Sequence, residues 1–127
     1  MNEIIPISKD EHNQGPIPTA WRRVFVDIVE GLKEGDFDRV RRVEGIRPIS
    51  AKVATRIVDN IKRYGAQLTS LPEETWQTSA CQWMIGYWDA LVDLYTVEEG
   101  ASDLALVVRV YEEGQAFAFE ILSVHVP

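Results

Sequence analysis

The sequence predicts an α+β domain in which three N-terminal helices pack on one face of a four-stranded antiparallel meander. Two observations carry that prediction. Residues 19–64 hold apolar stripes at helical spacing with capping residues at their ends. Residues 77–126 hold strand-like runs rich in Val, Leu and Phe, separated by short Gly-containing breaks.

The meander is the more strongly patterned half. Trp88 to Tyr95, Asp103 to Tyr111 and Gln115 to Val126 read as three successive strands. Facing Thr96 with Ser102 sets Leu94 against Leu104, Val92 against Leu106, Ala90 against Val108 and Trp88 against Val110. Every pair on that face is apolar, and a slip of one residue would turn the whole set over. A two-residue turn at Glu113-Gly114 then sets Val110 against Phe117, Val108 against Phe119 and Leu106 against Ile121. Gln77 to Ile85 reads as a preceding strand turned by Gly86-Tyr87, with Trp83 against Ala90 and Cys81 against Val92. The reverse face is mixed. Asp89 lies beside Arg109, which lies opposite Ala118 with Glu120 diagonal, and Leu91, Val107 and Leu122 stand nearby. A cover is expected for this face, either the segment around Ile4 to Ile7 or a second copy of the chain, so a homodimer through it is one expected partner arrangement.

The helical half has local punctuation. Trp21, Val24, Phe25, Ile28 and Leu32 make one stripe in a helix from about Thr19 to Glu34, with Thr19 as N-cap and Gly35 as stop. Asp36 caps a short helix from Phe37 to Arg42. Ser50 caps a third, Ala51 to Tyr64, which buries Ala54, Ile57, Val58 and Ile61 and stops at Gly65. Ser70-Leu71-Pro72-Glu73 has the capping-box pattern and opens a single turn through Trp76. Residues 1–17, with Pro6, Gly15 and Pro16, read as a loose N-terminal arm, and residues 18–127 as a single α+β domain.

Charge divides the chain unevenly. Residues 1–65 hold 12 Lys and Arg against 10 Asp and Glu, while residues 66–127 hold only Arg109 against 10 acids. The second half is therefore at −9 of a total −7, which disfavours nucleic acid and favours a basic protein partner. No apolar run approaches the length of a membrane span, no leader pattern opens the chain, and the single Cys81 offers no internal disulfide. These features predict a cytoplasmic protein with no membrane association.

Chemistry-bearing motifs are sparse. The sequence contains no phosphate loop, dinucleotide fingerprint, nucleophile elbow or spaced Cys/His set. Asp89, Asp93 and Asp103 share a strand face, where positions two apart splay carboxylates instead of converging them. Arg39, Arg41, Arg42 and Arg47 form a basic cluster that reads as a solvated face. Cys81 sits on the apolar face, without a nearby base. No catalytic residue, cofactor site or metal site is expected.

Two surfaces remain as candidates. The acidic hairpin ends, Glu98, Glu99 and Asp103 at one end of the sheet and Glu112 and Glu113 at the other, are candidate partner-binding residues. Trp83, Trp88, Phe117 and Phe119 are a candidate pocket lining between helices and sheet.

The run Trp88 to Thr96, followed by Glu98-Glu99-Gly100 and Ser102-Asp103-Leu104, resembles a small uncharacterised bacterial domain family, and Val124-His125-Val126-Pro127 is similar to its ending. The resemblance spans roughly residues 18–127 and implies no catalytic residues. By type, small acidic domains of this kind resemble immunity proteins that neutralise secreted toxins. The first helix with Gly35-Asp36-Phe37-Asp38 resembles the opening of nuclear-transport-factor-like cone domains. That likeness implies an aromatic-lined pocket holding a small molecule, in a binder or an enzyme. The expected function is a non-enzymatic binding protein that is immunity-like, with the cone-shaped small-molecule binder or enzyme as the alternative.

Overall fold

In a computed structural model, which describes residues 3–127, the chain begins its regular structure with a strand. β1 is Gly15–Pro16. It is followed by helices α1 (Thr19–Lys33), α2 (Phe37–Arg41) and α3 (Ala51–Tyr64), then a 3-10 turn at Glu73–Gln77. The remaining strands are β2 (Ala80–Trp83), β3 (Trp88–Thr96), β4 (Gly100–Glu113) and β5 (Ala116–His125). The sheet is antiparallel and ordered β1-β2-β3-β4-β5.

The expected four-stranded sheet with all strands after the helices is therefore corrected to five strands, the first preceding α1. Gly15 pairs with Cys81 and Pro16 with Ala80. A Gly-Pro pair reads as a chain breaker, yet an edge strand of two residues tolerates a residue without an N–H, because no further strand needs it. The short edge also blunts a template for aggregation.

The β3–β4 register follows the expected one from Trp88↔Val110 through Asp93↔Ala105. An irregularity between Asp93 and Tyr95 then brings Thr96 opposite Gly100 instead of Ser102. The other two pairings are displaced by two residues from expectation. Cys81 faces Ala90 and Trp83 faces Trp88, while Val108 faces Ile121 and Val110 faces Phe119. The last hairpin closes at Gly114-Gln115, flanked by Glu113 and Ala116. Gly114 has φ 64°, and a first central position with positive φ is where type II′ turns place glycine. A shift of two preserves which face each side chain occupies, so the expected faces hold as far as Ile121; the irregularity between Val107 and Val108 then sets Leu106 against Val124 instead of Ile121, and both Ile121 and Val124 are buried in the core. Arg109 consequently lies directly opposite Glu120.

The caps at Asp36 and Ser50 form as expected. Asp36 accepts from Arg39 N–H at 3.0 Å and Ser50 Oγ from Val53 N–H at 3.1 Å. Gly65 ends α3 in the left-handed region. Thr19 is not a cap; its Oγ1 accepts from Ile5 N–H at 2.8 Å, and α1 starts after Pro18 without a side-chain cap. Ser70 does not cap the 3-10 turn either, because its hydroxyl donates to Glu30 Oε2 at 2.7 Å.

The core lies between α1, α3 and the inner face of the sheet. Trp21, Phe25, Ile28, Val29 and Leu32 of α1, Val40 of α2 and Ile57 of α3 meet Trp88, Val92, Leu94, Leu104, Leu106, Val108 and Val110. α2 packs closely on α1 at Gly31, where an added Cβ would come within 2.5 Å of Val40 Cγ2. The β5 edge is closed by the segment after α2: Phe119 N–H donates to Gly45 O at 2.8 Å and Arg47 N–H to Phe119 O at 2.9 Å. Gly45 has φ 85°, and a Cβ there would meet Phe117 O at 2.9 Å, so a larger residue would push this rung away from the sheet.

The N-terminal segment runs on the inner side. Trp88 Nε1 donates to Ser8 O at 2.9 Å, and Lys9 pairs with Glu112 at 2.9 Å. Leu91, Val107 and Leu122 on the outer face are half-buried. No helix among the described residues is long and apolar enough to cross a membrane.

Candidate functional site

The two acidic ends of the sheet differ in how their charges are held. At the end formed by the β3–β4 hairpin, Tyr64 is the organising residue. It is the last residue of α3, and its hydroxyl donates toward Glu99, with Oε1 at 2.8 Å and Oε2 at 3.0 Å. The same oxygen accepts from Asp103 N–H at 3.1 Å. Glu98 Oε1 accepts from Gln67 N–H at 2.9 Å, and Thr96 Oγ1 lies 3.2 Å from Glu99 Oε1 while accepting Glu99 N–H at 3.1 Å. Three protein donors, Tyr64 Oη, Gln67 N–H and Thr96 Oγ1, thus orient two carboxylates. Among the described residues, none of Glu98, Glu99 and Asp103 makes an ion pair. Lys62 lines a shallow cleft with Glu98 but does not pair with it.

The phenol of Tyr64 reports the field at this end. The Asp103 amide donating to its oxygen is the largest single influence and favours ionisation. The hydrogen bond and charge of Glu99, desolvation and the charge of Asp103 together outweigh it and hold the phenol above its ordinary value.

At the opposite end both acids carry cations. Glu112 pairs with Lys9 at 2.9 Å, and Lys9 Nζ also stands 5.3 Å from the centre of the Trp83 ring. Glu113 pairs with Arg47 at 3.0 Å, and Arg47 lies over Tyr111 at 3.8 Å. The five acidic candidates therefore fall into an uncompensated group of three and a compensated group of two.

The aromatic candidates come together, with two rings of α1 among them. Trp88 is 1% exposed and meets Trp21 edge-on at 5.1 Å, Trp83 at 4.5 Å and Phe117 at 6.0 Å. Phe119 meets Phe25 at 5.8 Å. Phe117 and Phe119 also line an open cleft of about 630 Å³ with Trp21, Ile46 and Arg47. Trp83 lines a smaller cavity of about 250 Å³ with Cys81, Pro16 and Asp10, roofed by the N-terminal segment. Burial pushes the Cys81 thiol up to about 11. No group of three or more His, Cys, Asp or Glu among the described residues is placed to hold a metal ion.

Reasoning from sequence missed Tyr64, Gln67 and Lys9. Tyr64 had one signal, since it continues the Ile57–Ile61 stripe with a polar tip at the last position before the helix-stopping Gly65. Gln67 contributes a backbone amide, which no side-chain pattern marks.

Fold and site together define an α+β domain with helices on one face of an antiparallel sheet and an acidic hairpin end. The chain belongs to the family described as a domain of unknown function, DUF7668, whose sequence pattern matches residues 29–127. That match begins inside α1 and leaves β1 and the segment before it outside. No curated protein and no solved structure matches the chain.

Proposed function

We propose that this domain is a non-enzymatic binding protein that uses its acidic surface against a basic protein partner, in the manner of an immunity protein occluding its target. The observation that carries the reading is the trio Glu98, Glu99 and Asp103, left without a cation, in which Gln67 and Tyr64 hold the Glu98 and Glu99 carboxylates and Tyr64 anchors the Asp103 main chain. Fixed carboxylates lose little freedom on meeting lysine or arginine, and an uncompensated acidic patch steers a basic protein in diffusional encounter. Around it, the other 59 residues of the acidic half contribute only one basic side chain, Arg109, and Arg109 is already paired with Asp89.

The test is the association rate of a captured basic partner across a salt series, with the Glu98→Lys/Glu99→Lys variant beside the unaltered chain. Steering predicts an on-rate that falls as salt rises, and a slower on-rate for the variant at low salt. An on-rate indifferent to both salt and charge reversal would overturn the reading.

A further inference from the structure

The segment 5–16 is held to the rest of the domain almost wholly through its main chain. Its carbonyls accept from Thr19 N–H at Ile5, from Trp88 Nε1 at Ser8 and from Gln82 Nε2 at Asp10, at 3.0, 2.9 and 3.0 Å. Gly15 and Pro16 then add to the β2 edge as a short strand. Its apolar side chains contribute less: Ile7 is 36% exposed, and Ile4, just before the segment, 79%. One side chain is seated specifically. The Lys9 ammonium lies between the Glu112 carboxylate at 2.9 Å and the Trp83 ring at 5.3 Å.

Side-chain donors aimed at carbonyls, an open strand edge and one socket for a single side chain are the elements by which proteins read extended peptides. The carbonyl contacts do not depend on the identity of the seated residues, and the Glu112–Trp83 socket selects a lysine by charge and by its attraction to the ring face. The receiving residues Gln82, Trp83, Trp88 and Glu112 all lie within the family's domain, whereas the segment lying on them precedes it.

We propose that the groove along β2, Trp83, Trp88 and Glu112 is a docking site for an extended, lysine-bearing segment of a partner protein, and that residues 5–16 are its built-in competitor. The proposal deepens the basic-partner reading and rests on it, but at the opposite end of the sheet from Glu98, Glu99 and Asp103. A tethered occupant competes at an effective concentration on the order of millimolar, so the partner meets a site that is closed until Lys9 leaves.

The experiment uses the full chain and a fluorescent synthetic peptide carrying the sequence of residues 3–16. In the Lys9→Glu variant, repulsion from Glu112 vacates the socket while Ile5, Ser8 and β1 keep their sequence. Lys9 is exposed, and a thermal melt confirms that the variant is folded. The variant is expected to bind the peptide about tenfold more tightly than the unaltered chain, a peptide with its lysine changed to alanine is expected to bind more weakly, and Glu112→Gln is expected to erase the difference between the two peptides. Equal affinity of both chains for the peptide, absence of binding to either, or indifference to the lysine would overturn the proposal. The two readings separate cleanly. A basic partner that binds the unaltered and Lys9→Glu chains alike, and is lost only on reversal of Glu98 and Glu99, overturns the docking groove and leaves the proposed function standing.

Discussion

Arg109 Nε lies 2.9 Å from Asp89 Oδ1 across β3 and β4, and its guanidinium rests 4.2 Å from the centre of the Tyr87 ring. The pair ties register to charge, since only the alignment of Asp89 with Arg109 also sets Ala90, Val92 and Trp88 against Val108, Leu106 and Val110. The hydrogen bond and charge of Asp89 hold the guanidinium above its ordinary value. Both side chains are about one-third exposed, so solvent weakens the attraction. A double-mutant cycle with Asp89→Ala and Arg109→Ala, read by chemical denaturation, is expected to give a coupling of about 0.2 to 1 kcal/mol. A coupling of zero would mean that the alignment is held by the apolar face alone.

Gly31 offers a second test because its sign runs against helix propensity. Replacing a mid-helix glycine by alanine ordinarily stabilises by about 1 kcal/mol. Here the new Cβ would come within 2.5 Å of the buried Val40 Cγ2 and 3.3 Å of Asp36 O. Overpacking of this kind costs about 1 to 3 kcal/mol, so Gly31→Ala is expected to lower the melting temperature. Val40→Ala in the same chain should relieve part of the clash. A Gly31→Ala protein more stable than the original would show that α1 and α2 do not approach this closely in solution.

These two sites also mark how far the sequence could be read. Asp36 and Ser50 were legible as caps because capping is settled within three residues of chain. The apolar alternation of β3 and β4 fixed their shared face, and with it the meeting of Asp89 and Arg109. The placement of β5 was illegible at the level of two residues, because Phe117 and Phe119 satisfy Val110 equally well and only Gly114 in its turn decides between them. β1 was hidden by composition, since Gly15-Pro16 carries no strand propensity and pairs only because β2 presents an edge. Of the candidate site, the acids were visible but their division was not. Lys9 reaches Glu112 across 103 positions of sequence, and no local pattern signals a contact of that range.

Cys81 supplies a pH-dependent prediction. Burial raises its thiol from an ordinary 9.0 to about 11 in the folded chain. The folded state thus favours the neutral thiol, and this contribution to stability is intact below pH 9. It is lost as pH rises from about 9 to 11, where the unfolded chain gains from ionisation first. Denaturation midpoints are expected to fall over that window, and Cys81→Ala should flatten the fall. Since the thiolate is the reactive form, a disulfide reagent at pH 8 should modify the native chain about a hundredfold more slowly than the chain in denaturant. Equal rates would place the sulfur in solvent.

The outer face of the sheet yields the last prediction. The helices pack on the inner face, and Leu91 and Val107 on the outer face are half-buried. The same face carries Asp89, Asp93 and Glu120 against Arg109, three acids to one base. A homodimer through this face would be two-fold symmetric and would set each acidic patch against its own copy. Apolar contact then favours association while charge opposes it, and only the second is weakened by salt. The chain is expected to sediment as a monomer at low ionic strength, with any dimer growing as salt is raised and the acids are screened. Asp93→Asn should shift that balance toward the dimer at a given salt concentration. An assembly that is strongest at low salt, or one untouched by Asp93→Asn, would have to be built on a different surface, where opposite charges meet.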